Sequence, residues 1–240
     1  MSTGSERGQH ARVLDALGQA IVEGRPPVGA VLPLDELGAR FGVSRSVLRE
    51  AVRVLQSLGM VEPRQKVGTI VQPRSSWDMV HPQLVAWRGR SGEYSTQMRE
   101  LLELRLGLEP VGARLCAATT DPLRTALVRQ AAVTMVDAAA SGDERRYLEA
   151  DVAFHTGLLQ GSGNAVLSHF AATVEAVLRT RTAERRSTIT AWTPEAARAH
   201  LALADALVAG DAEGSSRAAH ELILGTLEEF AHESARPARP

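Results

Sequence analysis

Apolar residues recur at helical spacing from the start of the chain. In "HARVLDALGQAIVE" (10–23), Val13, Leu14, Leu17, Ile21 and Val22 fall on one face and predict a helix. The next stretch, "GRPPVGAVLP", holds two glycines and three prolines and ends it. "LDELGARFGV" predicts a short helix closing near Gly42. Ser44 then offers an N-cap to a third helix whose apolar positions are Val47, Leu48, Ala51, Leu55 and Leu58, with Gly59 at its end. "MVEPRQKVGTIVQ" changes to short extended runs around a basic turn, with Gly68 near the bend.

Helix, helix, helix and hairpin is the layout of a winged helix-turn-helix. Beyond it, "PRSSWDMVHP" is polar and bounded by prolines, as in a linker. From Thr96 the pattern is helical, with helices expected near 96–118, 122–140, 143–160, 164–186, 194–209 and 211–233. The breaks "TTDP", "SGD", "QGSGN", "AWTP" and "AGD" are rich in turn and capping residues. The expected fold class is mainly α: an N-terminal winged helix-turn-helix plus a C-terminal all-α bundle of about six helices. The expected boundaries are a tail over 1–9, the winged unit over 10–74, a linker over 75–95, the bundle over 96–233 and a tail over 234–240.

Composition adds little until it is divided. The 240 residues are 44% hydrophobic and 23% charged, with net charge −1, an ordinary globular balance with room for two modest domains. Residues 1–74 hold ten basic and seven acidic residues, and the remainder is net acidic. A basic front on an acidic body fits two different tasks. The polar start "MSTGSERGQH" has no signal-peptide core, and Cys116 has no second cysteine to pair with, so a cytoplasmic location is expected. No window approaches the roughly 18 apolar residues of a membrane span.

The third helix carries the first candidate chemistry. Arg45, Arg49 and Arg53 are spaced by four, so they drift only about 80° around the helix, away from its apolar side. A solvated basic face with Glu50 as a local partner is the plain alternative. The position after a tight "FGVS" turn and before a basic hairpin favours double-stranded DNA. There the N-terminal part of the helix enters the major groove and an arginine fork reads guanine. Arg45 and Arg49 are the expected base readers, with Ser44 and Ser46 in reach of bases or phosphates. Arg53, one turn back, is placed at the backbone, and Arg64, Lys66 and Gly68 form the wing.

"LDELGARFGVSRSVLREAVRVLQSLGMVEPRQKVGTIVQP" resembles the winged helix of GntR-family repressors, most clearly in "VSRSVLREA" and "LGMVEPRQKVGT". The resemblance implies that Arg45 and Arg49 read the operator and that Gly68 is the wing glycine. Many members carry a further DNA-contacting arginine just after an "LPSE"-like entry to the second helix. Here the stretch is "LPLDELG", one residue shorter, with Asp35 and Glu36, which implies a different operator.

The body offers fewer polar spots. Arg105 lies between Leu104 and Leu106 and four residues before Glu109, so it is either paired within its helix or facing an external carboxylate. Asp151 and His155, at i and i+4, share a helix face, and His200 is a candidate third partner. A structural Asp–His hydrogen bond and a divalent metal site both fit those residue types.

"ELRLGLEPVGARLCA", "DVAFHTGLLQGSGN" and "HLALADALVAGD" resemble the ligand-sensing FCD domain of the FadR-like subfamily. In many such domains an Asp and three His hold a metal beside an organic-acid effector. The resemblance implies Asp151, His155 and His200 as ligands of a divalent metal, Zn²⁺ among the candidates, and Arg105 as an effector-facing arginine. The family's fourth position falls on Leu222, and His220, two residues earlier, turns elsewhere. "SSWDMVHPQLVAWRGR" resembles the branch that senses sugar acids such as galactonate.

The expected protein is therefore a homodimeric transcriptional regulator, a repressor, whose operator binding answers to a small carboxylate effector of the sugar-acid kind. Two other classes stay open at this point. One is a metal-dependent enzyme with an accessory DNA-binding module, against which stands the lack of any HExxH, GxSxG or P-loop signature. The other is an architectural DNA-binding protein without an effector.

Overall fold

The computed structural model describes residues 3–119, 121–183 and 193–234 and divides the chain into two compact units, 1–94 and 95–240. The expected tail residues 235–240 and the end of the helix expected over 164–186 lie outside the described residues.

In the first unit, α1 (Thr3–Val22) packs Val13, Leu17, Ile21 and Val22 into a core shared with α3. The expected tail over 1–9 is thus helical from Thr3. α2 (Leu34–Phe41) stops at Gly42, whose φ of 62° is the left-handed conformation that a residue with a Cβ adopts only at a cost. α3 (Arg45–Ser57) starts at Ser44, whose hydroxyl accepts from the Val47 N–H at 3.4 Å, and buries Val47, Leu48, Ala51, Val52 and Leu55. The hairpin pairs β1 (Val61–Arg64) with β2 (Gly68–Val71) antiparallel, Val61 opposite Val71 and Arg64 opposite Gly68. Gly68 has φ 120°, a conformation that favours glycine, and a Cβ there would also come within 2.9 Å of Val31 Cγ1.

The stretch read as a linker, 75–95, contains a helix of the first unit. α4 (Pro82–Gly89) begins with proline at its first position and is capped by His81, whose Nδ1 accepts from the Gln83 N–H. Trp77, Leu84 and Trp87 join the α1–α3 core. The polar, proline-bounded run 73–82 is only the entry to this helix. Trp87 lies flat on α1 at Gly18, and its Nε1–H donates to Asp15 Oδ1 at 2.8 Å. A Cβ on Gly18 would stand 2.3 Å from the indole Cζ2. Gly18→Ala is expected to destabilise this unit by about 1–3 kcal/mol, the usual range for overpacking. An unchanged denaturant midpoint would contradict that close approach.

The second unit is the helical bundle: α5 (Tyr94–Ala117), α6 (Pro122–Ser141), α7 (Glu144–Gly161), α8 (Ala165–His169), α9 (Ala171–Ala183), α10 (Pro194–Val208) and α11 (Ala212–Ser234). The helix expected over 164–186 is two helices, α8 and α9, meeting at Phe170. Side-chain caps start four of the others or their neighbours: Asp121, Asp143, Asn164 and Thr193 each accept a backbone N–H of the following turn. α7 lies at the centre, packed on α6 and α9, and α10 packs on α6 and α11. The core gathers Met135, Phe154, Leu158, Leu159, Leu178, Leu203 and Leu207. Cys116 is buried beside Gly161, and burial pushes its thiol up to about 11.

Candidate functional site

The amphipathic pattern that buries Val47, Leu48 and Val52 leaves the opposite face of α3 to its polar residues. Arg45, Arg49 and Arg53 are all exposed there, with Ser44 and Ser46 at the leading end, their hydroxyls 2.9 Å apart. The three arginines differ in their surroundings. Arg45 reaches Asp35 of α2, 3.2 Å from Nη2 to Oδ1, with both side chains more than four-fifths exposed. Arg53 pairs with Glu50 of its own helix at 2.5 Å. Arg49 has no carboxylate partner among the described residues. On the hairpin, Arg64 lies 3.7 Å from Glu62, and Lys66 holds a left-handed φ of 63° at the turn. The surface is therefore an arginine-rich helix end beside a basic hairpin, on which Arg45, Arg53 and Arg64 lie near carboxylates and Arg49 does not.

The second site lies inside the bundle. Asp151 and His155 come from α7 and His200 from α10, and all three are buried. The His155 and His200 Nε2 atoms stand 3.2 Å apart, and Asp151 Oδ1 lies 3.3 and 3.4 Å from them. Phe154 meets both imidazoles edge to face and helps to fix the rings.

The other ring nitrogen of each histidine decides the chemistry. His200 Nδ1 lies 2.7 Å from the Ala196 carbonyl, which can only accept, so that nitrogen carries the proton. His155 Nδ1 lies 2.5 Å from Glu109 Oε2. Burial works to raise the Glu109 pKa, but Arg105 and His155 outweigh it and hold the carboxyl at about 2. Glu109 is thus an anion that accepts from His155. In their neutral forms both rings then turn bare Nε2 lone pairs towards each other and towards Asp151. Burial opposes ionisation of Asp151 too; His155 and His200, which donate to it from Nε2 and attract its charge when protonated there, hold it well below the usual carboxylate range. For His155, burial and the nearby Arg105 charge lower the pKa, but the Glu109 charge together with hydrogen bonds to Asp151 and Glu109 outweighs them, so the net shift is upward.

Three acceptors facing one another call for a proton or a cation between them. One proton serves one of the three edges, whereas one cation serves all three. Ligand atoms held about 2.0–2.1 Å from a tetrahedral ion stand roughly 3.3 Å from each other, which matches the spacing here. Backbone carbonyl and carboxylate partners behind the two histidines are also the usual outer support of a metal site. The residues present fit a divalent ion.

Arg105 is paired within its own helix. Its Nε lies 2.5 Å from Glu109 Oε1, and it also lines a cavity of about 410 Å³ that Asp151, His155 and His200 share. α11 lines the cavity with Leu222, Thr226 and Glu229, and α7 with Tyr147. Leu222 occupies the position that the family resemblance implies for a fourth metal ligand, while His220 is exposed and outside the lining. Sequence reasoning noticed Glu109 only as a partner of Arg105. Its contact with His155 spans 46 positions, and no local pattern announces it.

Comparison with known proteins settles the class. Residues 9–71 match the gntR family of bacterial regulatory proteins, and residues 100–225 match the FCD domain. The chain belongs to the GntR family of bacterial regulators. It is 30% identical over 210 residues to the uncharacterized HTH-type transcriptional regulator YieP of Escherichia coli K12, covering 87% of this chain and 90% of that protein. The galactonate operon transcriptional repressor of the same organism is 27% identical, with 90% and 93% covered. Among solved structures, a GntR protein of Streptococcus agalactiae superposes with a TM-score of 0.52 at 26% identity, covering 91% of this chain and 99% of that one. This GntR protein is a DNA-binding transcriptional regulator built from a winged helix-turn-helix and an FCD domain, and the reading as an enzyme falls. No described helix is long and apolar enough to cross a membrane.

Proposed function

We propose that this GntR regulator is a homodimeric repressor whose operator affinity is set by a small carboxylate bound in the FCD cavity at a divalent metal, with Zn²⁺ the favoured ion. Asp151, His155 and His200 would hold the ion. Leu222 offers no ligand atom, so coordination positions remain for effector oxygens. The ion would supply the positive charge that attracts a carboxylate, and Arg105 adds a guanidinium to the same wall. The observation that carries this reading is the buried trio of acceptors facing one another beside that cavity.

On the DNA side, Arg45 and Arg49 read bases in the major groove. Ser44 and Ser46 reach bases or phosphates, Arg53 contacts the backbone, and Arg64, Lys66 and Gly68 form the wing. Effector binding would favour one of two arrangements of the dimer that differ in operator affinity. The likeness to the galactonate operon repressor supports sugar acids as the first effectors to test.

Calorimetric titration of Zn²⁺-loaded protein with galactonate, gluconate and shorter hydroxy acids tests the site. At least one acid is expected to bind with a dissociation constant in the micromolar range and to lose most of that affinity in the metal-free protein. Failure of every acid to bind the loaded protein would contradict the proposal.

A further inference from the structure

The DNA-reading face carries an acid as well as arginines. Asp35 sits in the first turn of α2, yet its carboxylate reaches across to Arg45, the first residue of α3, at 3.2 Å. An acid in the first turn of a helix has a plain reason to be there, since the N-terminal dipole favours negative charge and Pro33 supplies no side-chain cap. Glu36, in the same turn, meets that need equally well and reaches no described cation. The contact with Arg45 is the feature that the dipole leaves unexplained.

Its position matters because the pair crosses from the first helix of the helix-turn-helix, α2, to the leading end of the recognition helix, α3. An isolated exposed pair adds little to stability, so its effect must lie in what it does to Arg45. A carboxylate on one side of a guanidinium limits the orientations of a long side chain and leaves the remaining N–H edge of the fork for a base. The same carboxylate, placed at the edge of the groove, repels phosphates and can accept from a cytosine amino group. Arg49 has no such tether, and Arg53 is held within its own helix.

We infer that Asp35 is a specificity-determining residue: it positions Arg45 for one base pair of each operator half-site and lowers affinity for all other DNA. This rests on the reading above that Arg45 contacts bases. Asp35 takes a second role from its charge, opposite in sign to that of every arginine around it. Removing it therefore strengthens binding to arbitrary DNA while weakening the choice among sequences, a combination that loss of a merely structural residue does not produce.

The test uses the full-length protein and a duplex selected by the wild type from a random pool. Affinity is measured for that duplex, for each single-base-pair variant and for an unrelated duplex. Wild type, Asp35→Asn, Arg45→Ala and Glu36→Gln are compared. Both Asp35 and Arg45 are exposed, and melting temperatures close to wild type are expected throughout. Asp35→Asn should bind the unrelated duplex two- to tenfold more tightly. It should also lose most of the discrimination at one base pair, a contact of a kind that usually discriminates roughly 5- to 150-fold. Arg45→Ala should lose discrimination at that same base pair, and Glu36→Gln should keep it. The inference is overturned if Asp35→Asn keeps the wild-type preference at every position, or loses it at a position that Arg45→Ala leaves intact. If Arg45→Ala itself keeps every preference, the base-reading role of Arg45 fails and the inference goes with it.

Discussion

Arg49→Ala is expected to remove specific operator binding while leaving the fold intact. The side chain is exposed on α3 and makes no ion pair among the described residues, so its loss should change stability by no more than about 0.5 kcal/mol. Its effect on DNA is much larger. One bidentate arginine–guanine contact is worth about 1–3 kcal/mol of discrimination, and a dimer on two half-sites loses it twice. Operator affinity should fall by roughly 30-fold to more than 10⁴-fold, with a smaller loss on unrelated DNA. Equal losses on operator and unrelated DNA would make Arg49 a phosphate contact instead. Retention of wild-type operator affinity at moderate salt would remove the arginine face from the DNA interface altogether.

The second large effect is expected at Glu109. This carboxylate accepts from His155 and neutralises Arg105, with both partners buried. Glu109→Gln keeps the shape but removes the charge. Loss of such an outer partner typically costs 10- to 100-fold in metal affinity. It also leaves a buried guanidinium without its counter-charge, a change that costs about 3–5 kcal/mol when one member of a buried pair is lost. Competition with a chelator of known affinity measures the first effect, and denaturant unfolding of the metal-free protein measures the second. Wild-type metal affinity in this variant would show that Glu109 supports only the fold.

Local signals carried much of the fold. The spacing of Val47, Leu48, Ala51 and Leu55, the Ser44 cap, the Gly42 stop and the Gly68 bend are short-range features, and each appears in the structure where the pattern put it. α4 was hidden because its entry is polar, although Pro82 after a capping His81 is a helix start. What buries it is Gly18 of α1, a tertiary fit that no window of sequence contains. The break at Phe170 escaped for a related reason, since neither glycine nor proline marks it.

The candidate sites divide in the same way. Asp151 and His155 are legible as an i, i+4 pair, and Arg105 with Glu109 likewise. That these two pairs meet through Glu109 and His155, with His200 completing the trio, depends on how α5, α7 and α10 come together. Asp35 shows the limit most clearly. In the sequence it marks a missing arginine, and in the structure it is a partner of one that is present.

The central claim is that the FCD cavity beside Asp151, His155 and His200 controls the grip of the winged helix on DNA. The direct measurement is operator affinity of the Zn²⁺-loaded protein with and without a carboxylate that binds it, repeated with His155→Ala. The account predicts that the acid weakens operator binding at least tenfold in the loaded wild type and leaves the His155→Ala protein unaffected. Equal operator affinity with and without the bound acid in the loaded wild type would contradict it.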